Sequence, residues 1–268
     1  MADATDFQGK WALVTGASSG IGAALARELA ARGAKLILTA RRRDRLESLA
    51  AELSAKGTET RVIAADLNDP AAPRQIFEAT EGAGLAVDIL VNNAGLGHYG
   101  AFHTNEEEQE VSQVRVNCEA VVRLSHLFVP RMIERRRGWL LIVASTASFQ
   151  PIPYISTYAA TKAFDRFFAL GLAAEVARHG VKVTALCPGS TESEFFEVAH
   201  AEWFRSRGVQ ATDEVARLAI TALARGQRIL IPNLRGKLTS FLVRFAPVGL
   251  ITRFIEKAAR PESRSKAT

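Results

Sequence analysis

The chain has 268 residues, of which 48% are hydrophobic and 23% charged, so it can bury a substantial core and does not have a disordered protein's composition. Its formal net charge is +6, but eight basic and two acidic residues lie between residues 235 and 268, which leaves the remainder neutral. This distribution argues against nucleic-acid binding by the body of the protein. Two cysteines cannot build a disulfide scaffold, and no Cys/His spacing is typical of a metal site, so no metal is expected.

The first residues contain no apolar run of the kind found in a signal peptide. No uncharged apolar stretch approaches the roughly 20 residues of a membrane-spanning helix. Together with the low cysteine count, these features predict a cytoplasmic protein in a reducing compartment.

From residue 11 onward, short aliphatic runs alternate with longer segments of helical period. The predicted strands are residues 11–15, 36–39, 61–64, 89–92, 139–144, 181–187 and, more weakly, 228–231. The predicted helices are residues 21–32, 44–56, 70–80, 106–134, 155–178 and 213–224. Continuously apolar strands are typical of sheets covered on both faces. The pattern predicts an α/β fold, a single-domain, doubly wound parallel sheet of the Rossmann type with about seven strands and helices on both faces.

The chain shows no linker or repeat, so residues 1–268 are predicted to form one domain. Its dinucleotide-binding and catalytic core is residues 9–232, with an irregular substrate lid at 190–210 and a basic amphipathic extension at 235–268. Residues 236–259 of this extension, called the tail below, read as two helices broken near Pro247. A glycine after each predicted helix is expected to adopt positive φ as a C-cap. These glycines are Gly33, Gly57, Gly82, Gly138, Gly180 and Gly226.

A glycine-rich run separates the first predicted strand from the first predicted helix. Glycines at such a turn let the backbone approach a pyrophosphate, whose charge the helix N-terminus meets. The alternative is a tight turn packed with small residues. The residues expected to face the phosphates are Gly16, Ser18, Ser19, Gly20, Ile21 and Gly22.

The end of the second predicted strand indicates which dinucleotide binds. An acid there would bind the ribose 2′-hydroxyl of NAD, but the chain has Arg41 and Arg42 and no acid before Asp44. Arginine pairs with a 2′-phosphate, so NADP(H) is the predicted cofactor, with Arg41 the first candidate and Arg42 the second. The alternative is a solvated basic start to the next helix.

These motifs resemble those of the short-chain dehydrogenase/reductase family, in its short single-domain branch, over residues 9–232. Thr15 and the glycines match the family's cofactor loop, Tyr158 and Lys162 its Y-x-x-x-K pair, and Ser145 stands 13 positions before Tyr158. The remaining matches are Asp66, Leu67, Asn92, Asn93, Ala94, Gly95, Asn117, Pro188, Gly189, Thr191 and Ser193. Ser148 replaces a common glycine, and Ser193 stands where threonine is more usual.

The tyrosine–lysine pair suits carbonyl reduction on chemical grounds. A phenol has an ordinary pKa of about 10, and a nearby ammonium lowers it. Residues four apart share a helix face, so Tyr158 and Lys162 can act together. The resemblance implies that Tyr158 is the general acid or base, that Lys162 also holds the nicotinamide ribose, and that Ser145 binds the substrate oxygen. It further implies that Asn117 positions a water; alternatively, Ser145 caps a strand end and Asn117 satisfies backbone groups.

An NADP(H)-dependent oxidoreductase that interconverts a carbonyl and an alcohol is therefore the predicted function. The alternative is a non-catalytic dinucleotide-binding sensor or scaffold. Bulky residues in the loops beyond the strand ends suggest an apolar ketone or acyl-type substrate, although some could pack a lid or an interface. They are Tyr99, Phe102, Phe149, Ile152, Tyr154, Phe195, Phe196, Trp203 and Phe204.

Two further partners are considered, and no nucleic acid is expected. The resemblance implies a homodimer or homotetramer assembled through the two long predicted helices. The tail interleaves apolar and basic residues, so it could lie on an anionic membrane, cover the substrate pocket or contact a partner subunit.

Overall fold

The computed structural model describes residues 7–191 and 209–260, and in them seven strands form one parallel sheet. The strands are β1 (Trp11–Thr15), β2 (Lys35–Ala40), β3 (Thr60–Ala64), β4 (Val87–Asn92), β5 (Gly138–Val143), β6 (Val181–Leu186) and β7 (Ile229–Leu230). Their order across the sheet is β3-β2-β1-β4-β5-β6-β7. The order reverses between β1 and β4, where the ends of adjacent strands open a crevice.

Helices cover both faces of this sheet. The helices of the described ranges are α1 (Gly20–Ala31), α2 (Arg43–Ala55), α3 (Ala72–Glu78), α4 (Glu107–Val114), α5 (Ala120–Glu134), α6 (Ser156–Val176), α7 (Thr212–Arg225), α8 (Leu234–Leu242) and α9 (Val248–Ala259). The predicted fold class is confirmed. Within the described ranges, no helix has the length and apolar character needed to cross a bilayer.

Alternate residues of each strand enter two separate cores. Val14 and Val91 pack on one face with Leu25 of α1 and Leu223 of α7. Leu13, Leu90 and Ile142 pack on the other face, where Phe128 of α5 and Ala173 of α6 cover them. Because both faces are buried, the strands are largely apolar, as their sequences predicted; Asp88 in β4 and Lys182 in β6 are among the charged exceptions.

One predicted helix is divided in the structure. Residues 106–134 form α4 and α5, with a π-helical turn at Arg115–Glu119 between them. Such turns insert one residue into the helical register and are frequent at functional sites. Asn117 lies in this turn.

The predicted glycine caps are confirmed at four positions and wrong at two. Gly33, Gly57, Gly180 and Gly226 have φ between +71° and +86°. Gly82 and Gly138 have no positive φ: Gly84 takes the left-handed conformation after α3, and Arg136 takes it after α5. Gly138 instead begins β5, where an added Cβ would meet the Met132 side chain.

Candidate active site

A cavity of about 860 Å³, called the main cavity below, opens at the carboxyl ends of the strands. Of the predicted site residues, Asn117 does not line it, and Ser193 lies outside the described residues. The other predicted residues all line it: Gly16, Ser18, Ser19, Gly20, Ile21, Gly22, Arg41, Arg42, Asp66, Leu67, Asn93, Ala94, Gly95, Ser145, Tyr158, Lys162, Pro188, Gly189 and Thr191. The fold therefore brings together residues from widely separated parts of the chain.

The glycine-rich loop is closed by backbone contacts that leave no room for side chains. Gly16 has φ +66°, a conformation that favours glycine. A Cβ on Gly16 would lie 2.9 Å from the Ala94 Cα, and one on Gly22 would collide with the Gly16 carbonyl oxygen. The loop thus presents bare backbone at the N-terminus of α1, where an anion is stabilised by the helix dipole.

The Thr15 hydroxyl ties this loop to the end of β4. It donates to the Val91 carbonyl at 3.1 Å and accepts from the backbone N–H groups of Asn93 and Ala94 at 2.9 and 3.0 Å. The Asn93 Nδ2 returns a bond of 2.8 Å to the Thr15 carbonyl. These bonds hold the two walls of the crevice in a fixed relation.

Positive charge lies beside the loop at the end of β2. The Arg42 Nη2 donates to the Ser18 Oγ at 3.1 Å and to the Ser19 Oγ at 2.9 Å, and Arg41 also lines the main cavity. Arg43, in contrast, lies on the exposed surface of α2 near Glu47. The geometry therefore separates two arginines that face the cavity from one that belongs to the solvated helix face.

The predicted catalytic side chains meet where β5 ends and α6 begins. The buried Lys162 ammonium donates to the Val143 carbonyl at 2.8 Å and to the Asp165 Oδ2 at 2.9 Å. The Ser145 hydroxyl hydrogen-bonds with Tyr158 and also accepts from the Ala147 N–H at 3.1 Å. Ser145 thus caps the turn after β5 and faces Tyr158 at the same time.

Burial dominates the acidity of Tyr158. It raises the pKa of this phenol above its ordinary value, while the Lys162 charge and the Ser145 hydrogen bond lower it. The expected effect of the lysine is present, but it is smaller than the desolvation of the phenolate.

Asn117 links two segments of the chain through hydrogen bonds whose partners its sequence position did not indicate. Its Oδ1 accepts from the Leu96 N–H at 2.8 Å, and its Nδ2 donates to the Leu96 carbonyl at 2.9 Å and to the Thr161 Oγ1 at 2.8 Å. The side chain thereby fastens the segment after β4 to α6. Its predicted role in positioning a water stays a prediction.

The tail forms part of the cavity wall, which answers one of the three alternatives raised for it. Gly236 and Thr239 of α8 and Phe254, Ile255 and Ala258 of α9 line the main cavity. Ile255 packs with Tyr158 and Ile152 in a small apolar cluster. The sequence did not identify these individual residues as cavity residues. Only the alternation of apolar and basic residues in the tail indicated that this segment could contact the pocket.

Four of the bulky loop residues offered as substrate candidates do not line the cavity, and for them the packing alternative stays open. Tyr99, Phe102, Phe149 and Tyr154 do not line the main cavity, whereas Ile152 does. Phe195, Phe196, Trp203 and Phe204 lie outside the described residues. Phe149 stacks on the Arg166 guanidinium at 4.3 Å, and Phe102 is exposed.

Tyr99 and Tyr154 instead hold α9 over the cavity. The Tyr99 hydroxyl donates to the Ala259 carbonyl at 2.7 Å, and the Tyr154 hydroxyl donates to the Glu256 Oε1 at 2.9 Å. Their rings pack edge to face. We call this pair the tyrosine clasp.

Comparison with known proteins identifies relatives over most of the chain. The family model described as short chain dehydrogenase matches residues 10–202. A short-chain dehydrogenase from Sphingobium yanoikuyae, in complex with NADPH, is 32% identical with a TM-score of 0.81, over 90% of this chain and 95% of that one. A bulky-bulky ketone specific alcohol dehydrogenase from Comamonas testosteroni is 30% identical with a TM-score of 0.77, over 90% and 93% of the two chains.

Longer relatives are matched in part. A very-long-chain 3-oxoacyl-CoA reductase from Danio rerio is 36% identical over 187 residues, which are 67% of this chain and 59% of that protein. A protein of the same description from Pyrenophora tritici-repentis is 39% identical over 183 residues, which are 66% of this chain and 53% of that protein. The chain thus spans little more than half the length of these relatives. From its fold, its motifs and the family match, the chain belongs to the short-chain dehydrogenase family.

Proposed function

We propose that the chain is an NADP(H)-dependent oxidoreductase that interconverts a carbonyl and an alcohol by hydride transfer, on an apolar ketone or acyl-type substrate. One observation carries this proposal: Ser145, Tyr158 and Lys162 meet in the main cavity, whose other end is a bare glycine cradle. A proton donor beside a dinucleotide-shaped crevice is what carbonyl reduction requires.

The residues present fit the cofactor. The glycine loop presents bare backbone at the N-terminus of α1, where a pyrophosphate can bind, and Arg41 and Arg42 can pair with a 2′-phosphate. Asp66 and Leu67 would contact the adenine, and the Lys162 ammonium the ribose hydroxyls. When bound, NADP(H) supplies or accepts the hydride. The NADPH in the Sphingobium relative supports this assignment.

The chain's own groups handle the proton. In reduction, the Tyr158 hydroxyl donates its proton to the oxygen that develops negative charge, and in oxidation the phenolate takes the proton back. Ser145 hydrogen-bonds to the same oxygen and polarises it. The Lys162 ammonium stabilises the phenolate, which burial alone would disfavour.

The substrate end of the main cavity supports an apolar ligand. Ile152, Ile155, Phe254, Ile255 and Ala258 line it. The relatives named as very-long-chain 3-oxoacyl-CoA reductases and as a bulky ketone dehydrogenase act, by those names, on acyl and bulky carbonyl compounds. These observations favour ketones with large apolar substituents and 3-oxoacyl thioesters.

The test is an absorbance assay with NADPH and NADH against ketones, 3-oxoacyl thioesters and oxosteroids. We expect Tyr158→Phe to reduce kcat by about 10²- to 10⁴-fold while NADPH binding, followed by fluorescence, persists. We expect Arg42→Ala to weaken NADPH more than NADH, and the exposed Arg43→Ala to change neither. Full turnover by Tyr158→Phe would refute the mechanism, and NADPH binding without turnover on the whole panel would favour the sensor alternative.

We also propose that the protein is a homodimer or homotetramer assembled through α4, α5 and α6. Val114, Val122, Phe164 and Phe167 are large apolar side chains left exposed on these helices, which is unusual unless a partner covers them. Sedimentation would show an oligomer that Phe167→Asp dissociates. A monomeric wild-type protein would contradict this assembly.

Finally, we propose peripheral contact with an anionic membrane through the outer surface of α8 and α9. Phe241, Leu242, Phe245, Leu250 and Phe254 are exposed there, among exposed basic side chains. Apolar residues ringed by cations match the interface of an anionic bilayer.

A further inference from the structure

A buried carboxylate stands beside the catalytic lysine, and the mechanism above does not use it. Asp165 lies on α6 one turn after Lys162 and is 1% exposed. Its Oδ2 is 2.9 Å from the Lys162 Nζ. Burying a carboxylate is costly, so its presence at this position calls for a physical role.

The donors of the Lys162 ammonium are divided among fixed partners. An ammonium has three N–H donors. One binds the Val143 carbonyl and a second binds Asp165, which leaves the third for the cavity side. Asp165 and Val143 therefore fix the direction in which Lys162 presents its charge to Tyr158 and to a bound ribose.

Asp165 and Lys162 stabilise each other's charge: burial raises the pKa of the Asp165 carboxyl, the lysine opposes that rise, and the carboxylate in turn helps to keep the buried lysine charged. Burial by itself lowers the pKa of a lysine because the ammonium loses its hydration. The pKa of Lys162 is nevertheless raised, since the negative charge of Asp165 and that of the Tyr158 phenolate oppose the effect of burial. A neutral lysine would offer no charge to the phenolate.

The same carboxylate acts on Tyr158 with the opposite sign to the lysine. Lys162 lowers the pKa of the phenol, and Asp165 raises it, because two negative charges at short range repel each other. Tyr158 therefore interacts with an ion pair and not with an isolated cation. This pairing favours the neutral phenol, which is the proton donor needed for carbonyl reduction.

Among the described residues, no second cation shares this carboxylate. Of the groups facing Asp165 from its own helix and from neighbouring elements, Tyr158 and Lys162 belong to α6, Cys118 to the π turn and Cys187 to the end of β6. Burial raises the pKa of Cys118 to about 12 and that of Cys187 to about 11, so both thiols are neutral near pH 7. The Asp165 Oδ1 has no hydrogen-bond donor in the described ranges.

We propose that Asp165 is a positioning residue that anchors the Lys162 ammonium and, through it, sets the readiness of Tyr158 to release its proton. The proposal rests on the function proposed for Tyr158. Asp165 itself touches neither substrate nor the reacting atoms, so its effect is expected on proton affinity and on lysine placement.

The test uses the full chain labelled with ¹³Cζ-tyrosine, titrated by NMR without substrate or cofactor. The chain has three tyrosines, and Tyr158→Phe assigns the relevant signal by its loss. We expect Asp165→Asn to lower the Tyr158 midpoint by about one pH unit, because Asp165 no longer repels the phenolate, while the phenolate itself still raises the pKa of Lys162. This corresponds to about tenfold more phenolate at a given pH below the midpoint. Asp165→Glu restores the charge and should recover most of the wild-type midpoint.

Asp88→Asn is the matched control. Asp88 is also a buried carboxylate in an ion pair, 3.1 Å from the Arg137 Nη2, but it lies in β4 near the end opposite the main cavity. Its loss should reduce stability and leave the Tyr158 midpoint in place. An equal shift in Asp88→Asn, or an unchanged midpoint in Asp165→Asn, would overturn the proposal.

Two further outcomes are distinguishable. If Asp165→Asn does not fold, Asp165→Ser carries the test, because it also removes the charge and leaves a small polar side chain; an unchanged midpoint in folded Asp165→Ser would count against the proposal. If the wild-type protein turns over no carbonyl substrate, the proposed function fails, while the titration still decides whether Asp165 sets the acidity of Tyr158.

Discussion

At the scale of single residues, Thr15 shows how much one hydroxyl can organise. It donates one hydrogen bond and accepts two, and together they join β1 to the end of β4 and to the two residues that follow it. The sequence placed Thr15 at the start of the glycine motif, but nothing in the local spacing indicated that its partners would come from residues 91–94. The side chain fixes the crevice before any ligand enters it.

Gly22 offers a sharp test at the same scale. We expect Gly22→Ala to weaken NADPH binding about tenfold or more, because the new Cβ collides with the Gly16 carbonyl and displaces the loop. Relieving such overpacking costs typically about 1–3 kcal/mol. Fluorescence titration with NADPH measures the affinity, and thermal unfolding measures the change in stability.

Gly171→Ala is the matched control for this substitution. Gly171 lies in α6, and a Cβ added there would meet no atom within 4 Å. Its replacement should stabilise the helix by about 0.5–1 kcal/mol and leave NADPH affinity unchanged. Normal affinity in Gly22→Ala would show that the loop does not carry the cofactor.

At the scale of elements, the π turn and α9 bring side chains to positions that a regular helix over residues 106–134 and the sheet by themselves would not provide. The turn at Arg115–Glu119 sets Asn117 against the Leu96 backbone. The tyrosine clasp sets α9 over the cavity. Tyr154 has φ +67°, which is uncommon for a non-glycine residue. Such strain is expected where a side chain must reach a particular partner, here Glu256.

We expect the double variant Tyr99→Phe/Tyr154→Phe to loosen α9. Each substitution removes one hydroxyl donor, and the Tyr99 bond alone is worth about 0.5–1.5 kcal/mol. Hydrogen exchange of the α9 amides should accelerate at least severalfold, and KM for bulky ketones should rise because the cavity wall is less ordered. Unchanged exchange in α9 would contradict the clasp, and α7 provides the internal reference.

The clasp also has a defined pH dependence. Arg260 and then Tyr154 lower the pKa of Glu256, and burial raises that of Tyr154, so at neutral pH a phenol donates to a carboxylate. The folded pKa of Glu256 is the lower one, so its contribution is complete above its unfolded pKa. It declines as the pH falls through the folded pKa. Exchange in α9 should therefore accelerate in acid, and less so in Glu256→Gln.

At the scale of the whole molecule, the charge surplus belongs to the last part of the chain. The body is neutral, and the excess basic residues belong to residues 235–268. The exposed Phe254 also lines the main cavity, so the cavity opens on the same side as the apolar surface of α9. The proposed membrane contact would therefore place the mouth of the main cavity beside the bilayer.

The membrane proposal predicts binding of the full chain to anionic vesicles and not to zwitterionic ones. Basic residues near such a surface contribute about 1 kcal/mol each, and salt screens them. Phe241→Asp/Phe245→Asp should abolish most of the pelleting, whereas Phe102→Asp, which replaces an equally exposed phenylalanine on the loop after β4, should not. Equal pelleting of all three proteins, or none by the wild type, would end the proposal.

The spacing of residues along the chain was sufficient to predict the sheet, the cofactor loop and the tyrosine–lysine pair. Apolar runs of four to seven residues, separated by segments of helical period, predicted a doubly wound parallel sheet covered on both faces. The glycine run predicted the turn before α1, and the four-residue interval of Tyr158 and Lys162 placed both on one face of α6. These features depend on neighbours in the chain, whose geometry is fixed by the periods of helix and strand.

Only the tertiary structure decided the features that depend on distant contacts. The sequence could not show that Asp165 would be buried against Lys162, since an acid three residues along a helix is more often solvated. Nor could it show that desolvation outweighs the lysine at Tyr158, or that the tail walls the cavity. The first two depend on how completely packing excludes water from a charge, and the third depends on which elements meet in the folded chain. The spacing of residues along the sequence determines neither.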